Sequence, residues 1–146
     1  MLPRWHIFWG AVFTGIIWLA SPGISKAYLA LIFLASFLID FDHYVNAGMK
    51  GESWKLKDAL DYHRKLGKKM DLEHARGARK KYDFHLFHTL EFHILMALLG
   101  ILWTGFFYIF IGMVFHSLLD LIYGANRGVL YRREYFFFNW MRKKLD

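Results

Sequence analysis

The chain of 146 residues has no cysteine and only two prolines. Without cysteine it has no disulfide framework, no thiolate nucleophile and no zinc finger built on Cys, so any metal site must use His, Asp and Glu. Apolar residues, in contrast, make up 56% of the sequence, and 20% of it is aromatic. A soluble domain of this size would be left with large exposed apolar patches. The composition therefore predicts one domain whose excess apolar surface lies in lipid.

Four apolar stretches organise the chain. A bilayer span needs about 20 mainly apolar residues, and the stretches predict transmembrane helices over about 5–21, 24–43, 84–103 and 105–123. Tight connections join the first helix to the second and the third to the fourth, which gives two hairpins. We therefore expect an all-α membrane protein, a single membrane domain over 1–146, with four transmembrane helices in two hairpins.

The basic residues lie outside these stretches. A loop over 46–83, a tail over 125–146 and Arg4 hold all of the 19 Lys and Arg residues except Lys26. By the positive-inside rule, this charge predicts a multi-pass protein of the inner (cytoplasmic) membrane with both termini and the loop in the cytoplasm. Amphipathic helices of the loop and the tail are expected at the interface, against membrane lipid. Since the charge serves orientation, we expect no nucleic-acid partner, and the oligomeric state stays open.

The first stretch has an alternative interpretation as a signal peptide, with Arg4 ahead of an apolar core and small residues near a cleavage site. The hairpin pattern and His6 favour a helix that is retained. The interpretation matters because His6 belongs to the polar residues on which the functional prediction depends.

Ionisable residues interrupt the apolar stretches. Such groups are costly at membrane depth and are functional candidates by default; they are His6, Asp40, Asp42, His43, His85, His88, Glu91, His93, His116 and Asp120. At a rise of about 1.5 Å per residue, all four helices bring members of this set to one layer near the cytoplasmic side. Oxygen and imidazole ligands without thiolate suit zinc first and manganese or iron as alternatives, and their number allows one or two divalent ions.

Spacing indicates which of these side chains can converge. His116 and Asp120 are four apart and share a helix face, and Asp40 and His43 are three apart. Asp42 turns away from that face unless the helix unwinds there. Each pattern alone also fits a hydrogen-bonded packing residue or a solvated helix cap. Found together at one depth, the patterns predict a metal site.

The order of these residues resembles a known family, the membrane-bound metal-dependent hydrolases of bacterial and archaeal inner membranes. The motifs of that family are an early His, an L-P-D-x-D-H box, an H-R-G-x-x-H-S box and an S-H-x-x-x-D box. The corresponding positions here are His6, the box over 38–43, the pair His88 and His93, and the box over 116–120. Isoleucine replaces the proline of the second box, and the third box lacks its Arg and Gly. The set also resembles, more weakly, the ligand pattern of zinc-dependent phospholipase C and related nucleases.

These resemblances imply a membrane-embedded hydrolase of an ester or phosphoester in a lipid or lipid-linked substrate. The expected metal ligands are His6, Asp40, Asp42, His43, His88, His93, His116 and Asp120. Glu91 is the candidate general base, with Asp42 as the second catalytic candidate. His85 is expected to hold a carboxylate in place.

Three other functions remain open. A metal ion transporter would also place carboxylates and histidines in the membrane, although the outer halves of the helices, such as 29–34 and 94–102, carry no Lys, Arg, Asp or Glu. A b-type haem protein would use paired histidines, but the carboxylates argue against a haem pocket. A non-catalytic metal-binding scaffold fits if the changed third box marks a lost activity.

Overall fold

The computed structural model describes residues 3–50 and 53–145. This part of the chain is all helical, with 77% helix and no strand, so the prediction of an all-α protein is confirmed. The helices are α1 (Pro3–Ala20), α2 (Lys26–Leu38), α3 (Phe41–Met49), α4 (Leu56–Ala75), α5 (Leu90–Leu99), α6 (Thr104–Asn126) and α7 (Phe137–Leu145), with short 3₁₀ turns at Leu86–His88 and Leu130–Arg132.

Two helical segments among the described residues are long and apolar enough to cross a membrane. They are Lys26–Met49, which runs through α2 and α3, and Thr104–Asn126, which is α6. Four spans are not shown, because α1 and α5 lack this combination of length and apolar character. The structure therefore contains two candidate spans where the sequence predicts four.

The predicted helix over 84–103 is shorter in the structure. Thr89 caps the start of α5, where its Oγ1 accepts a hydrogen bond from the backbone N of Phe92 at 3.4 Å. Gly100 follows the last residue of the helix, so α5 has only 10 residues. At about 1.5 Å per residue this covers roughly half of a hydrocarbon core about 30 Å thick. The apolar composition of 84–88 concealed this difference, because a 3₁₀ turn can be as apolar as a helix.

Helix α2 lies at the centre of the bundle, between α1 and α6. Its contact with α6 is close, since a Cβ added at Gly112 would meet the carbonyl oxygen of Ile32 and would lie 2.8 Å from the Cβ of Ala35. A Cβ at Gly10 of α1 would lie 3.0 Å from the Cβ of Ser36 of α2. Small residues of this kind allow helix backbones to approach each other.

The connections between helices bring four helix ends together. Helices α1 and α2 form one hairpin and α5 and α6 the other, while α2 and α6 run parallel, with Ile32 beside Gly112 and Ser36 beside His116. The N-terminal parts of α1 and α5 therefore meet the C-terminal parts of α2 and α6. This arrangement puts His6 and His116 in ring contact, although they are 110 positions apart.

The loop and the tail both contain the predicted helices, α4 and α7. Their position at a membrane interface stays a prediction. The tail packs over the segment before α5, because the backbone N of Tyr82 donates to the carbonyl of Arg132 at 3.1 Å and that of Leu90 to the carbonyl of Tyr135 at 2.9 Å. These bonds carry the residues between 132 and 135 toward the ends of the central helices.

Candidate metal centre

The turn between α2 and α3 supplies three ionisable side chains. The backbone N of Asp40 donates to the carbonyl of Phe37 at 3.3 Å, and that of His43 to the carbonyl of Asp40 at 3.0 Å. Asp40 precedes α3 but its carboxylate makes no capping bond there. Because the turn interrupts the predicted helix over 24–43, Asp42 is no longer turned away, and both Asp40 and Asp42 reach His88.

His88 comes from the 3₁₀ turn ahead of α5. The backbone N of Phe87 donates to Oδ2 of Asp42 at 3.1 Å, and Asn46 Nδ2 donates to the carbonyl of Phe84 at 3.0 Å. These two bonds tie the turn to α3. The same Asp42 oxygen lies 3.0 Å from Nδ1 of His88. One carboxylate oxygen therefore holds both the imidazole of His88 and the backbone N–H of Phe87.

Helix α6 contributes His116 and Asp120, one turn apart, with Nε2 of the first 3.4 Å from Oδ2 of the second. The ring of His116 is buried, and its Nδ1 lies 2.9 Å from the carbonyl oxygen of Ser36. A carbonyl oxygen only accepts, so this Nδ1 carries the proton, and the same reasoning applies to the Nδ1 of His88 beside the carboxylate of Asp42. In the neutral imidazoles, both Nε2 atoms therefore present lone pairs, and they face each other at 3.2 Å.

The remaining distances match those of a metal site. Oδ1 of Asp40 lies 3.4 Å from Nε2 of His88 and 3.5 Å from Nε2 of His116. In a tetrahedral site with ligand bonds of about 2.0–2.1 Å, neighbouring ligand atoms are about 3.3–3.4 Å apart. Lone pairs and carboxylate oxygens at such distances repel one another unless a proton or a metal cation lies between them. Asp40, His88, His116 and Asp120 thus form a cluster that could hold a metal ion.

A second group, Asp42, His43 and His88, could also hold an ion and shares His88 with the first. Oδ1 of Asp40 lies 3.4 Å from Nε2 of His43, so this carboxylate faces both groups. The ring of His85 lies 3.7 Å from the ring of His43, and its Nδ1 lies 3.6 Å from Oδ1 of Asp42. Neither of these last two atoms has a hydrogen-bond partner in the described part of the chain.

His6 lies against the cluster from α1. Its Nε2 is 3.3 Å from Oδ1 of Asp120, and its ring stacks on His116 with ring centres 3.8 Å apart. The side chain is fully buried, and neither ring nitrogen has a hydrogen bond within the described residues. The carboxylate of Asp120 is the polar neighbour of this imidazole, so an ion held by Asp120 would lie close to its Nε2.

Two predicted site residues are directed elsewhere, and His93 is the first. Its Nδ1 donates to the carbonyl of Thr89 at 2.8 Å, and its Nε2 accepts from Ser117 Oγ at 3.0 Å. Both ring nitrogens are therefore used in joining α5 to α6. His93 belongs to neither ligand group, because α5 places it five positions after His88 on a different face.

Glu91 is the second of these residues. Its carboxylate accepts hydrogen bonds from the backbone N of Phe137 at 2.9 Å and of Phe138 at 3.3 Å. These donors lie in the first turn of α7, where helix N–H groups lack partners within the helix. Glu91 therefore fixes α7 on α5, and the structure directs its carboxylate to these two backbone donors.

Arg133 belongs to the site although its sequence context does not single it out. Its Nη1 donates to Oδ2 of Asp120 at 2.8 Å, and its side chain is 23% exposed. In the sequence it is one of six similar basic residues of the tail, and only the packing of the tail over the segment before α5 selects it. With three aspartates facing one guanidinium, the described cluster favours a cation.

The site has a closed side and an open side. The side chains of His88 and His116 are 1% and 0% exposed, whereas those of Asp40 and His43 are 20% and 26% exposed. Catalytic metal sites keep one position open to water or substrate, unlike structural sites. The arrangement combines rigidly oriented imidazoles with access from the side of Asp40.

Comparison of the whole chain with protein-family models, curated proteins and solved structures found no match. The functional argument therefore depends on the geometry of the cluster.

Proposed function

We propose that this protein is a membrane-embedded, metal-dependent hydrolase that cleaves an ester or phosphoester of a lipid or lipid-linked substrate. The observation that carries the proposal is the convergence of two imidazole Nε2 atoms and two aspartates at metal-ligand spacing, beside an open side. Motif order supports it as a resemblance to the membrane-bound metal-dependent hydrolases.

Asp40, His88, His116 and Asp120 would hold the first ion. Zinc suits this set of nitrogen and oxygen ligands, with manganese or iron as alternatives. A bound ion of this kind lowers the pKa of a coordinated water toward about 7 and polarises the scissile group. The carboxylate of Asp42 orients His88 through Nδ1, as partners of metal-binding imidazoles commonly do.

The open side supplies the remaining chemistry. Because Glu91 is used at α7, the base or the ligand of a second ion must come from elsewhere, and His43 is the titratable side chain with the greatest exposure at the cluster. Arg133 lies beside Asp120 and would pair with negative charge on the substrate. A phosphoester or other anionic ester fits this combination of cations.

The helices and the charges support the proposed membrane position. Lys26–Met49 and Thr104–Asn126 would cross the bilayer, α1 and α5 would complete the four-helix bundle, and the basic loop and tail would face the cytoplasm. Basic residues there attract anionic headgroups. The cluster would then lie at headgroup depth of the inner membrane, where a lipid ester is the available substrate.

Elemental analysis of the detergent-purified protein tests the metal. We expect about one or two equivalents of zinc, manganese or iron in the wild type, loss of that metal in His116→Ala, and retention in the matched control His93→Gln, since His93 lies outside both ligand groups. Absence of metal after reconstitution with zinc and manganese would overturn the proposal.

Hydrolysis is tested on the metal-loaded protein with phospholipids and lipid phosphates in mixed micelles, with His116→Ala as the inactive reference. Cleavage of soluble esters without cleavage of lipids would contradict the proposed substrate class. Bound metal without any hydrolysis would favour a metal-binding scaffold. A transporter is not favoured, because Gly112 closes α6 against Ile32 one turn from His116.

A further inference from the structure

An apolar groove lies between α2, α5 and α6. It has a volume of about 320 Å³, which falls within the range of about 300–1,000 Å³ typical of ligand sites. Every side chain that lines it is apolar, from Ile39 and Phe87 at one end to Leu31, Met96 and Ile109 at the other. A polar ligand group placed here would find no hydrogen-bond partner among these side chains.

The groove begins at the metal centre. Ile39 immediately precedes Asp40, Phe87 immediately precedes His88, and Met113, which also lines the groove, is one helical turn from His116. From Ile39 to Leu31 the groove follows about 12 Å of α2 at a rise of about 1.5 Å per residue. One end of the groove is therefore next to three of the proposed metal ligands along the chain, at Asp40, His88 and His116.

The groove also opens sideways. Leu34 and Leu38, on its rim, are 41% and 50% exposed. They lie on one of the two segments long enough to cross a membrane, and the groove's opposite wall, at Ile109 and Met113, lies on the other. In a bilayer such an opening faces hydrocarbon, where alkyl chains are the available occupant.

We propose that this groove binds one acyl chain of the substrate lipid, so that the bond to be cleaved lies at Asp40 and His88 and an anionic headgroup lies at Arg133. The inference rests on the proposed hydrolase function and narrows its substrate to an acyl-chain lipid with a negatively charged headgroup. An alkyl chain satisfies the apolar walls, while the guanidinium and the cluster lie where the chain ends.

Chain binding is tested on the metal-free protein, independently of catalysis. The probe is phosphatidic acid with a photoreactive diazirine in its acyl chain, in mixed micelles, with crosslinks mapped by mass spectrometry. We expect crosslinks at 31–39 and 92–96, and at least a five-fold reduction in Leu34→Trp, which fills the groove. Leu98→Trp, at a 58% exposed position of α5 outside the groove, is the matched control and should label as the wild type does.

Crosslinks spread evenly over the exposed faces of the helices, and unchanged in Leu34→Trp, would mean ordinary surrounding lipid and would overturn the inference. If Leu34→Trp fails to fold, Leu38→Trp fills the same groove from a more exposed position. A reduction in both groove variants without a reduction in Leu98→Trp supports the acyl-chain site.

Hydrolysis separates this inference from the function on which it rests. On the metal-loaded protein, Leu34→Trp should cleave long-chain phosphatidic acid at least ten-fold more slowly and p-nitrophenyl phosphate within two-fold of the wild-type rate. Equal rates for the variant and the wild type on both substrates would contradict the groove and leave the hydrolase intact. No cleavage by the wild type would contradict the hydrolase, while the crosslinking result would still decide whether the groove binds an acyl chain.

Discussion

The two halves of α6 are held by different kinds of contact. In the N-terminal half, Gly112 lets the helix touch the backbone of α2 at Ile32. In the C-terminal half, His116 and Asp120 meet ionisable side chains from α1, from the turn before α5 and from the tail. The close apolar contact fixes the register in which His116 meets the carbonyl of Ser36, so the apolar half determines the geometry of the polar half.

The two halves of α6 also differ in whether they need a bound ion. Apolar packing is satisfied by the helices themselves, whereas lone pairs and carboxylates at 3.2–3.5 Å need a proton or a metal ion between them, and we propose the metal ion. We therefore expect the polar half to depend on metal and the apolar half to be independent of it. Variants in each half of α6 test this difference in metal dependence.

The largest effect is expected from Asp40→Ala. Its Oδ1 faces His43, His88 and His116 within 3.5 Å, so its removal takes a ligand from the first group and a carboxylate that also faces His43 of the second. Zinc affinity, measured by competition with a chromogenic chelator, should fall more than 100-fold. The control Asp61→Ala removes a carboxylate from α4 and should bind as the wild type does; unchanged affinity in Asp40→Ala would exclude this carboxylate as a ligand.

A smaller loss is expected from Asp42→Asn, which keeps the shape of the side chain but replaces one carboxylate oxygen with an amide donor. Changes of this kind beside a metal-binding imidazole reduce metal affinity by about 10–100-fold, or about 1.4–2.7 kcal/mol. Glu91→Gln, a matched acid-to-amide change at α7, should leave the affinity unchanged. A loss of metal affinity in Glu91→Gln equal to that in Asp42→Asn would mean that Glu91 is part of the metal site.

Glycine substitutions test the apolar half. Gly112→Ala adds a methyl group against the carbonyl of Ile32, and overpacking of this kind typically costs about 1–3 kcal/mol. Gly15→Ala, in α1, meets no atom within 4 Å and should stabilise the helix by up to about 1 kcal/mol. Thermal unfolding in detergent, with and without chelator, should show opposite shifts of Tm. An unchanged or raised Tm in Gly112→Ala would mean that the close α2–α6 contact does not limit stability.

The sequence was informative where helical spacing applied. The pair of His116 and Asp120 follows from one helix face, and the apolar stretches gave the all-α fold. The conditional prediction for Asp42 also depended on a physical rule, since a straight helix would turn it away from Asp40. The turn between α2 and α3 interrupts the straight helix, and Asp42 therefore reaches His88.

Spacing failed where no helix exists. The predicted helix over 84–103 includes the residues before Thr89, which form a 3₁₀ turn at Leu86–His88. The roles expected of Glu91 and His93 came from the family resemblance, and the structure directs both side chains to other contacts. Arg133 could not be selected from the tail, because the contact that brings it to Asp120 depends on backbone pairing between segments about 50 residues apart. A cluster assembled from different segments requires the tertiary structure.

The smallest effect is expected at Glu134, which anchors the tail that carries Arg133. Burial acts to raise the pKa of this carboxyl, but hydrogen bonds from Lys81, Asn139 and Lys143 outweigh it and bring the pKa from 4.5 to about 2. Because the pKa is lower in the folded chain, the contribution of Glu134 to stability is present above about pH 4.5 and is lost as the pH falls toward 2.

Glu134→Gln should therefore lower the free energy of unfolding at pH 7 by at most about 1 kcal/mol, since its lysine partners are half exposed and screened by solvent. The wild type and the variant should converge as the pH falls from 4.5 to 2, which thermal unfolding at several pH values measures. Metal content at pH 7 should stay unchanged, because Glu134 lies outside the cluster. A difference in stability that is constant from pH 7 to pH 2 would mean that packing, and not the charge of Glu134, holds the tail.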